Sequence, residues 1–248
     1  MTNASASRTA AMVVIGNEIL SGKVVDSNSP FLARELRRLG VALERVLVVP
    51  DEVDTIASAI ADYSSHFDLV FTSGGVGPTH DDVTIEGVAR AFGVPVVIHP
   101  RLREVIEKVA GDDPPASFLK MAEVPEGAEL LEGGGANFPT VLIRNVYVLP
   151  GIPEIFEAKV LALRERFRDR PYHLRQVFVA AHETDIADYL SATLEGFPDL
   201  LLGSYPKLGN PDYSVRLTLE SKDEDYLDRA LDDLIARMPA EMIVKIER

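Results

Sequence analysis

With 248 residues, 46% of them hydrophobic, the chain is long enough for one large domain or two modest ones and can bury a core. Its formal charge of −14 argues against a grip on nucleic-acid backbones, which takes basic patches, and the absence of cysteine excludes disulfides, thiolate nucleophiles and cysteine-ligated metal centres. Residues 1–8 are polar, without the apolar stretch of a signal peptide, and no run of about 18 apolar residues offers a membrane span; a cytoplasmic protein with a flexible tail at 1–8 is expected.

The first apolar run, Ala10 to Ile15, is continuous rather than alternating and reads as a buried parallel strand ending at Gly16, Asn17 and Glu18. Gly22 to Asn28 feeds a helix with Phe31, Leu32, Leu36 and Leu39 on one face and Gly40 as its stop, and Asp26, Ser27 and Asn28 are all candidate caps. A second strand, Val41 to Val49, precedes a helix carrying Val53, Ile56, Ala57 and Ile60. A third, Phe67 to Phe71, runs into TSGGVGPTHDDVT, Thr72 to Thr84, and then into Val83, Ile85, Val88 and Ala89 at helical spacing. This alternation is that of βαβ units and a parallel sheet. Val94 to Ile98 is a further candidate strand and Leu102 to Val109 a helix; Gly111 to Pro115 is a turn. Val124 to Thr140, with Gly133, Gly134 and Gly135, reads as a loop or hairpin excursion near the site. Val146 to Leu149 is a strand, broken by Pro150, Gly151 and Pro153 before a helix from Glu154 to about Phe167.

Arg168 to Pro171 reads as a linker, dividing a domain at 9–170 from one at 171–248. In the second, strands at Leu174 to Ala180, Leu200 to Tyr205, Tyr213 to Leu219 and Met242 to Ile246 alternate with helices at Ile186 to Leu194 and Tyr226 to Met238. The order β-α-β-β-α-β predicts a ferredoxin-like unit, with Ser221 and Glu224 as a capping box for its second helix.

The turn at Thr72 to Thr84 is the candidate site. In an open α/β sheet a strand-to-helix turn of this kind lies at the carboxyl edge, where ligands bind. Gly74, Gly75 and Gly77 permit positive φ and a close approach to the main chain, Pro78 stiffens the exit, and exposed N–H groups suit an anion such as phosphate. Asp81 and Asp82 are out of place in a bare phosphate cradle, because a carboxylate about 5 Å from a phosphate charge is repelled by roughly 3 kcal/mol at an effective dielectric near 20. A divalent cation, magnesium or similar, offsets that repulsion by bridging carboxylate and phosphate. One of the two aspartates can instead be the helix N-cap, which leaves the other as the functional candidate.

Several signals fail. Gly16 to Lys23 has the wrong spacing for a Walker A loop and Val24 where Ser or Thr is needed; His80 stands where a dinucleotide fingerprint has its third glycine; neither a G-x-S-x-G elbow nor a zinc-protease pair is present.

Gly16-Asn17-Glu18, the Gly22 to Asn28 segment, the Gly74 to Thr84 loop and the Leu149 to Pro153 turn, in that order and spacing, resemble the molybdopterin-binding-like (MoaB/Mog) domain family. The likeness covers roughly Thr9 to Phe167 and is closer to the amino-terminal domain of CinA proteins and to the corresponding domain of FAD synthase, whose segment resembles Asn145 to Glu154. The resemblance implies a three-layer α/β/α domain with its site at the glycine turn, and metal-dependent hydrolysis of nucleotide pyrophosphates such as ADP-ribose or FAD. In molybdenum-cofactor members it implies binding of a pterin phosphate. Asp82 matches the motif aspartate before Val-Thr; Asp81, Glu18 and Asp26 are its expected carboxylate neighbours. The expected catalytic set is Asp82, Asp81 and Glu18, with the metal on Asp82 and Asp81. The expected phosphate-binding set is Ser73, Gly74, Gly75, Gly77, Thr79, Asn17, Asp26, Asn28 and Gly151. The amidase domain of CinA proteins is expected to be absent, and Lys120 is the only basic residue in 116–140, where those proteins are expected to carry a basic run. The expected partners are a small nucleotide or pterin phosphate and further copies of the chain, not nucleic acid or membrane. The alternatives to hydrolysis are molybdopterin binding or transfer, and a non-catalytic nucleotide sensor.

Overall fold

The computed structural model describes residues 7–111, 113–134 and 138–248. Most of the expected flexible tail, and Gly135 of the glycine run, lie outside the described residues. The chain divides into two compact units, one ending at Asp169 and the other beginning at Arg170.

The first unit runs β1 (Thr9–Ile15), α1 (Asn17–Leu20), α2 (Asn28–Arg38), β2 (Ala42–Val49), α3 (Val53–His66), β3 (Leu69–Ser73), α4 (Thr84–Phe92), β4 (Val96–Ile98), α5 (Pro100–Ala110), α6 (Ala116–Lys120), β5 (Glu123–Pro125), β6 (Glu129–Leu131), β7 (Thr140–Ile143), β8 (Val146–Val148) and α7 (Pro153–Phe167). Among the described residues its main sheet has the order β2-β1-β3-β8-β7-β6. The first four strands are parallel, and β7 and β6 extend the sheet antiparallel.

The unbroken apolar run of β1 follows from burial on both faces. Alternate side chains of a strand point to opposite sides. Ala10, Met12 and Val14 enter one core with Leu32 and Leu36 of α2 and Phe156 and Val160 of α7. Ala11, Val13 and Ile15 enter the other with Ile56 and Ile60 of α3 and Val88 of α4. The sheet is therefore the middle of three layers. Phe71, fully buried, packs edge-on against Phe167 at 5.1 Å, and burying such a ring is worth about 1.5–3 kcal/mol.

Two segments take a definite place. The strand at Val94 to Ile98 forms at Val96–Ile98, but it leaves the main sheet and pairs antiparallel with β5 in a separate two-stranded sheet. Of the two alternatives for Val124 to Thr140, the hairpin forms: β6 and β7 pair antiparallel across it, with Leu130 opposite Val141.

The second unit runs β9 (His173–Val179), α8 (Glu183–Gly196), β10 (Leu201–Pro206), β11 (Val215–Ser221), α9 (Glu224–Arg237) and β12 (Ile243–Glu247). Its sheet, ordered β10-β11-β9-β12 and antiparallel throughout, is the ferredoxin-like arrangement. Val177, Val179, Leu217 and Leu219 meet Leu227, Leu231 and Leu234 of α9 in its core. Ser221 is not the helix cap that its spacing to Glu224 suggests. Asp223 is, accepting from the Tyr226 N–H at 2.9 Å, while the Ser221 hydroxyl accepts from the Asp223 N–H one step earlier. Among the described residues no helix is long and apolar enough to cross a membrane.

Candidate functional site

The carboxyl ends of the parallel strands converge on the glycine turn. Gly16 N–H donates to Val49 O at 3.1 Å and Gly74 N–H to Leu149 O at 3.2 Å, so the exits of β1, β2, β3 and β8 are tied side by side. Gly74 has φ +103°, and a Cβ there would lie 2.2 Å from Ile15 O; Gly75 has φ +63°, and a Cβ would lie 2.3 Å from Thr84 Oγ1. No other residue fits either position without displacing the strand exit or the start of α4. The Thr84 hydroxyl donates to Gly74 O at 2.9 Å and the Thr84 N–H to Gly75 O at 3.0 Å, which fastens the turn to the first residue of α4.

Neither aspartate caps that helix. Val83 holds the N-cap position, with no side-chain hydrogen bond. Asp82 turns back instead: its Oδ2 accepts from the Thr79 N–H at 2.8 Å and from the Thr79 hydroxyl, and the same hydroxyl lies 2.6 Å from Asp81 Oδ1. One hydroxyl proton serves one oxygen at a time, so both carboxylates converge on a single donor. A Cβ at Gly77 would lie 2.6 Å from Asp82 Oδ2, so Gly77 makes room for that carboxylate. The Lys120 ammonium, on α6, donates to Thr79 O and holds the turn from the other side. The Thr79 hydroxyl bond, then the backbone N–H, then the charges of His80 and Lys120 hold the Asp81 carboxyl below its ordinary range.

Of the other expected residues, Asn28, Ser73 and Gly151 come together beneath the turn. Asn28 Nδ2 donates to Ser73 Oγ and to Gly151 O, both at 2.9 Å, and its Oδ1 is buried without a hydrogen-bond partner among the described residues. A Cβ at Gly151 would lie 3.3 Å from Gly74 Cα, so the proline-glycine turn before α7 abuts the glycine turn. The Asn17 N–H donates to Asp51 Oδ2 at 2.8 Å. Asp26 is not brought in: its Oδ1 accepts from the Ser29 N–H at 3.0 Å, stabilising the start of α2, and it lines neither cleft described next.

Two clefts flank the carboxylate pair. One, of about 660 Å³, is floored by Gly74 to Pro78 and walled by Val83, Ile85, Leu102, Phe138 and Ile155, with Asp82, Lys120 and Lys159 on its lining. The other, of about 600 Å³, is polar: Asn17, Ser21, Lys23, Asp51 and Asp81 line it. Glu18 lines both. Among the described residues no three His, Cys, Asp or Glu side chains are grouped as a metal cage, so Glu18 does not join the two aspartates in a ready-made set.

Sequence reasoning missed Lys159, Phe138 and Asp51. Lys159 is 4% exposed; its Nζ donates to Phe138 O at 2.6 Å and lies 3.5 Å from Thr140 Oγ1, and burial pulls its pKa below the ordinary lysine value. A signal was present, since Lys159 interrupts the apolar face shared by Phe156, Val160 and Leu163. Phe138 and Asp51 gave none.

Residues 11–168 match the family described as "Probable molybdopterin binding domain", and residues 171–247 match "FAD synthase, middle domain". A protein of Archaeoglobus fulgidus is 34% identical over 89% of this chain and 93% of its own length. A "Probable FAD synthase" of Caenorhabditis briggsae is 32% identical over 89% of this chain but 48% of its own, so the chain spans about half the length of that relative. The crystal structure of the protein CinA, of unknown function, from Thermoplasma acidophilum superposes with a TM-score of 0.60 at 33% identity, covering 65% of this chain and 98% of that one. The turn geometry, the three-layer sheet and these matches agree: the chain belongs to the MoaB/Mog-like, CinA-type molybdopterin-binding domain family and carries the FAD synthase middle domain behind it.

Proposed function

We propose that the chain is a metal-dependent hydrolase of nucleotide pyrophosphates of the ADP-ribose or FAD class. The observation that carries this reading is the convergence of Asp81 and Asp82 on Thr79 at a glycine turn beside a largely apolar cleft. Two adjacent carboxylates without a third protein ligand form a donor set that suits magnesium, which takes one or two carboxylates and completes its shell with phosphate oxygens and water. Asp82 and Asp81 would hold the ion. When bound, it supplies charge neutralisation between carboxylate and phosphate and polarises the phosphoryl group. Main-chain N–H groups of Gly75 and Gly77 would take one phosphate, the Gly74 N–H being spent on Leu149 O, with Asn28 and Ser73 holding Gly151 against the turn. Glu18, common to both clefts, is the further carboxylate facing the reacting group. The printed name of the FAD synthase relatives supports a nucleotide as the ligand.

The family description favours a second reading, molybdopterin binding or transfer at the same turn. One screen separates them. Purified protein is incubated with ADP-ribose, FAD, NAD or molybdopterin and several divalent ions. AMP release supports hydrolysis, whereas a pterin that co-purifies, with no AMP released from any nucleotide, supports the second reading.

A further inference from the structure

Lys159 is a buried cation that the protein does not neutralise. Among the described residues no carboxylate lies within ion-pair distance of it; Glu132, whose charge acts on it from further off, is paired with Arg101. The Phe138 carbonyl and the Thr140 hydroxyl accept from it, but a neutral carbonyl is a poor exchange for the hydration of an ammonium. A methionine would fill the same space without that penalty. Lys159 also lines the apolar cleft, on the face of α7 shared with Ile152 and Ile155. The start of α7, at Pro153, follows the turn that abuts Gly74, and six residues of helix place Lys159 about 9 Å further along the axis. That span is comparable with the one from a nucleotide's phosphate to the far edge of its ring. Gly134 and Phe138 both meet the same helix at this point: a Cβ at Gly134 would lie 2.9 Å from the Lys159 backbone, and Lys159 Nζ donates to Phe138 O.

We propose that Lys159 is a specificity-determining residue of the cleft, donating to an acceptor atom on the far edge of a planar heterocycle whose phosphate lies at the glycine turn. This rests on the phosphate placement of the proposed function. An ammonium has three donors and no acceptor, so it selects ring edges bearing a carbonyl oxygen or an unprotonated ring nitrogen. Residues such as Ile155 and Phe138 bury the ring's faces.

The test is a binding measurement with magnesium present, by calorimetry, using ADP-ribose, FMN and the ring-less ribose 5-phosphate against the parent, Lys159→Met and Lys159→Gln, each checked for folding by thermal melt. The expected result is that at least one ring-bearing ligand binds the parent tighter than ribose 5-phosphate and loses about tenfold or more in Lys159→Met, as for one charge-assisted hydrogen bond, while ribose 5-phosphate is unchanged. Lys159→Gln, which keeps an N–H donor without the charge, should fall between. Equal losses for ring-bearing and ring-less ligands would mean that Lys159 only pins Phe138, and that overturns the proposal, as does no loss at all or no binding of any ring-bearing ligand by the parent. Binding is read here rather than turnover. Ring-dependent binding together with no AMP release in the nucleotide screen would therefore sink the hydrolase reading and leave this one standing.

Discussion

Asp82→Asn separates a metal-holding carboxylate from a merely structural one. The substitution keeps one oxygen to accept from the Thr79 N–H, now at 2.8 Å, and from the Thr79 hydroxyl, and it leaves the α4 cap untouched because Val83 holds that position. What is lost is the charge assistance to those bonds, about 1 kcal/mol, equivalent to roughly 2–4 °C in melting temperature for a domain of this size. The functional loss is much larger. Two unit charges 4 Å apart interact by about 4 kcal/mol at an effective dielectric of 20, so removing one should lower metal-dependent binding or turnover by roughly a hundredfold to a thousandfold. The assay is AMP release from ADP-ribose and FAD, with metal binding by calorimetry and a melt of the same preparation. Full activity with an unchanged melt would refute the assignment. Asp81→Asn is then the next variant, and if both are active the metal is not held by this turn.

Stripping with chelator should abolish AMP release, and a hard or borderline divalent ion should restore it; undiminished turnover in excess chelator contradicts the metal requirement. Gly74→Ala places a Cβ 2.2 Å from Ile15 O at φ +103° and should cost about 2–4 kcal/mol in denaturant melts, whereas Gly22→Ala, at φ +71° with no atom within 4 Å, should cost only about 1 kcal/mol; equal costs would show that the close approach to β1 is not what demands glycine. The Lys159 ammonium is protonated less readily in the folded chain than in the unfolded one, so the unfolded state binds more protons between the depressed value and the ordinary lysine value, and stability rises with pH across that window. The stability gap between Lys159→Met and the parent should shift in the parent's favour as pH is raised toward the ordinary lysine value. A gap independent of pH would mean that burial does not burden the charge.

The order of the parallel strands with their long helices, and of the second unit, was legible from local pattern, because burial on both faces makes a strand such as β1 apolar at every position. Ala10 to Ile15 is continuous and apolar for that reason, and the β-α-β-β-α-β order of the second unit appears as alternating runs. The glycine turn was legible too, since its positive φ values admit little else. Tertiary structure decided the rest. Whether Val96–Ile98 joins the main sheet depends on which strand edge is free to pair, and that is set by β5 across α5 and α6. Asp82 as an acceptor for Thr79 rather than a helix cap depends on where Gly75 fastens to Thr84. Asn28 meets Gly151 across 123 positions and Lys159 meets Phe138 across 21, distances over which helical and strand periodicity carry no information. Residue types and spacing determined that a glycine turn with two carboxylates exists; only packing at long range chose which groups face it and left one buried lysine on the lining of the cleft.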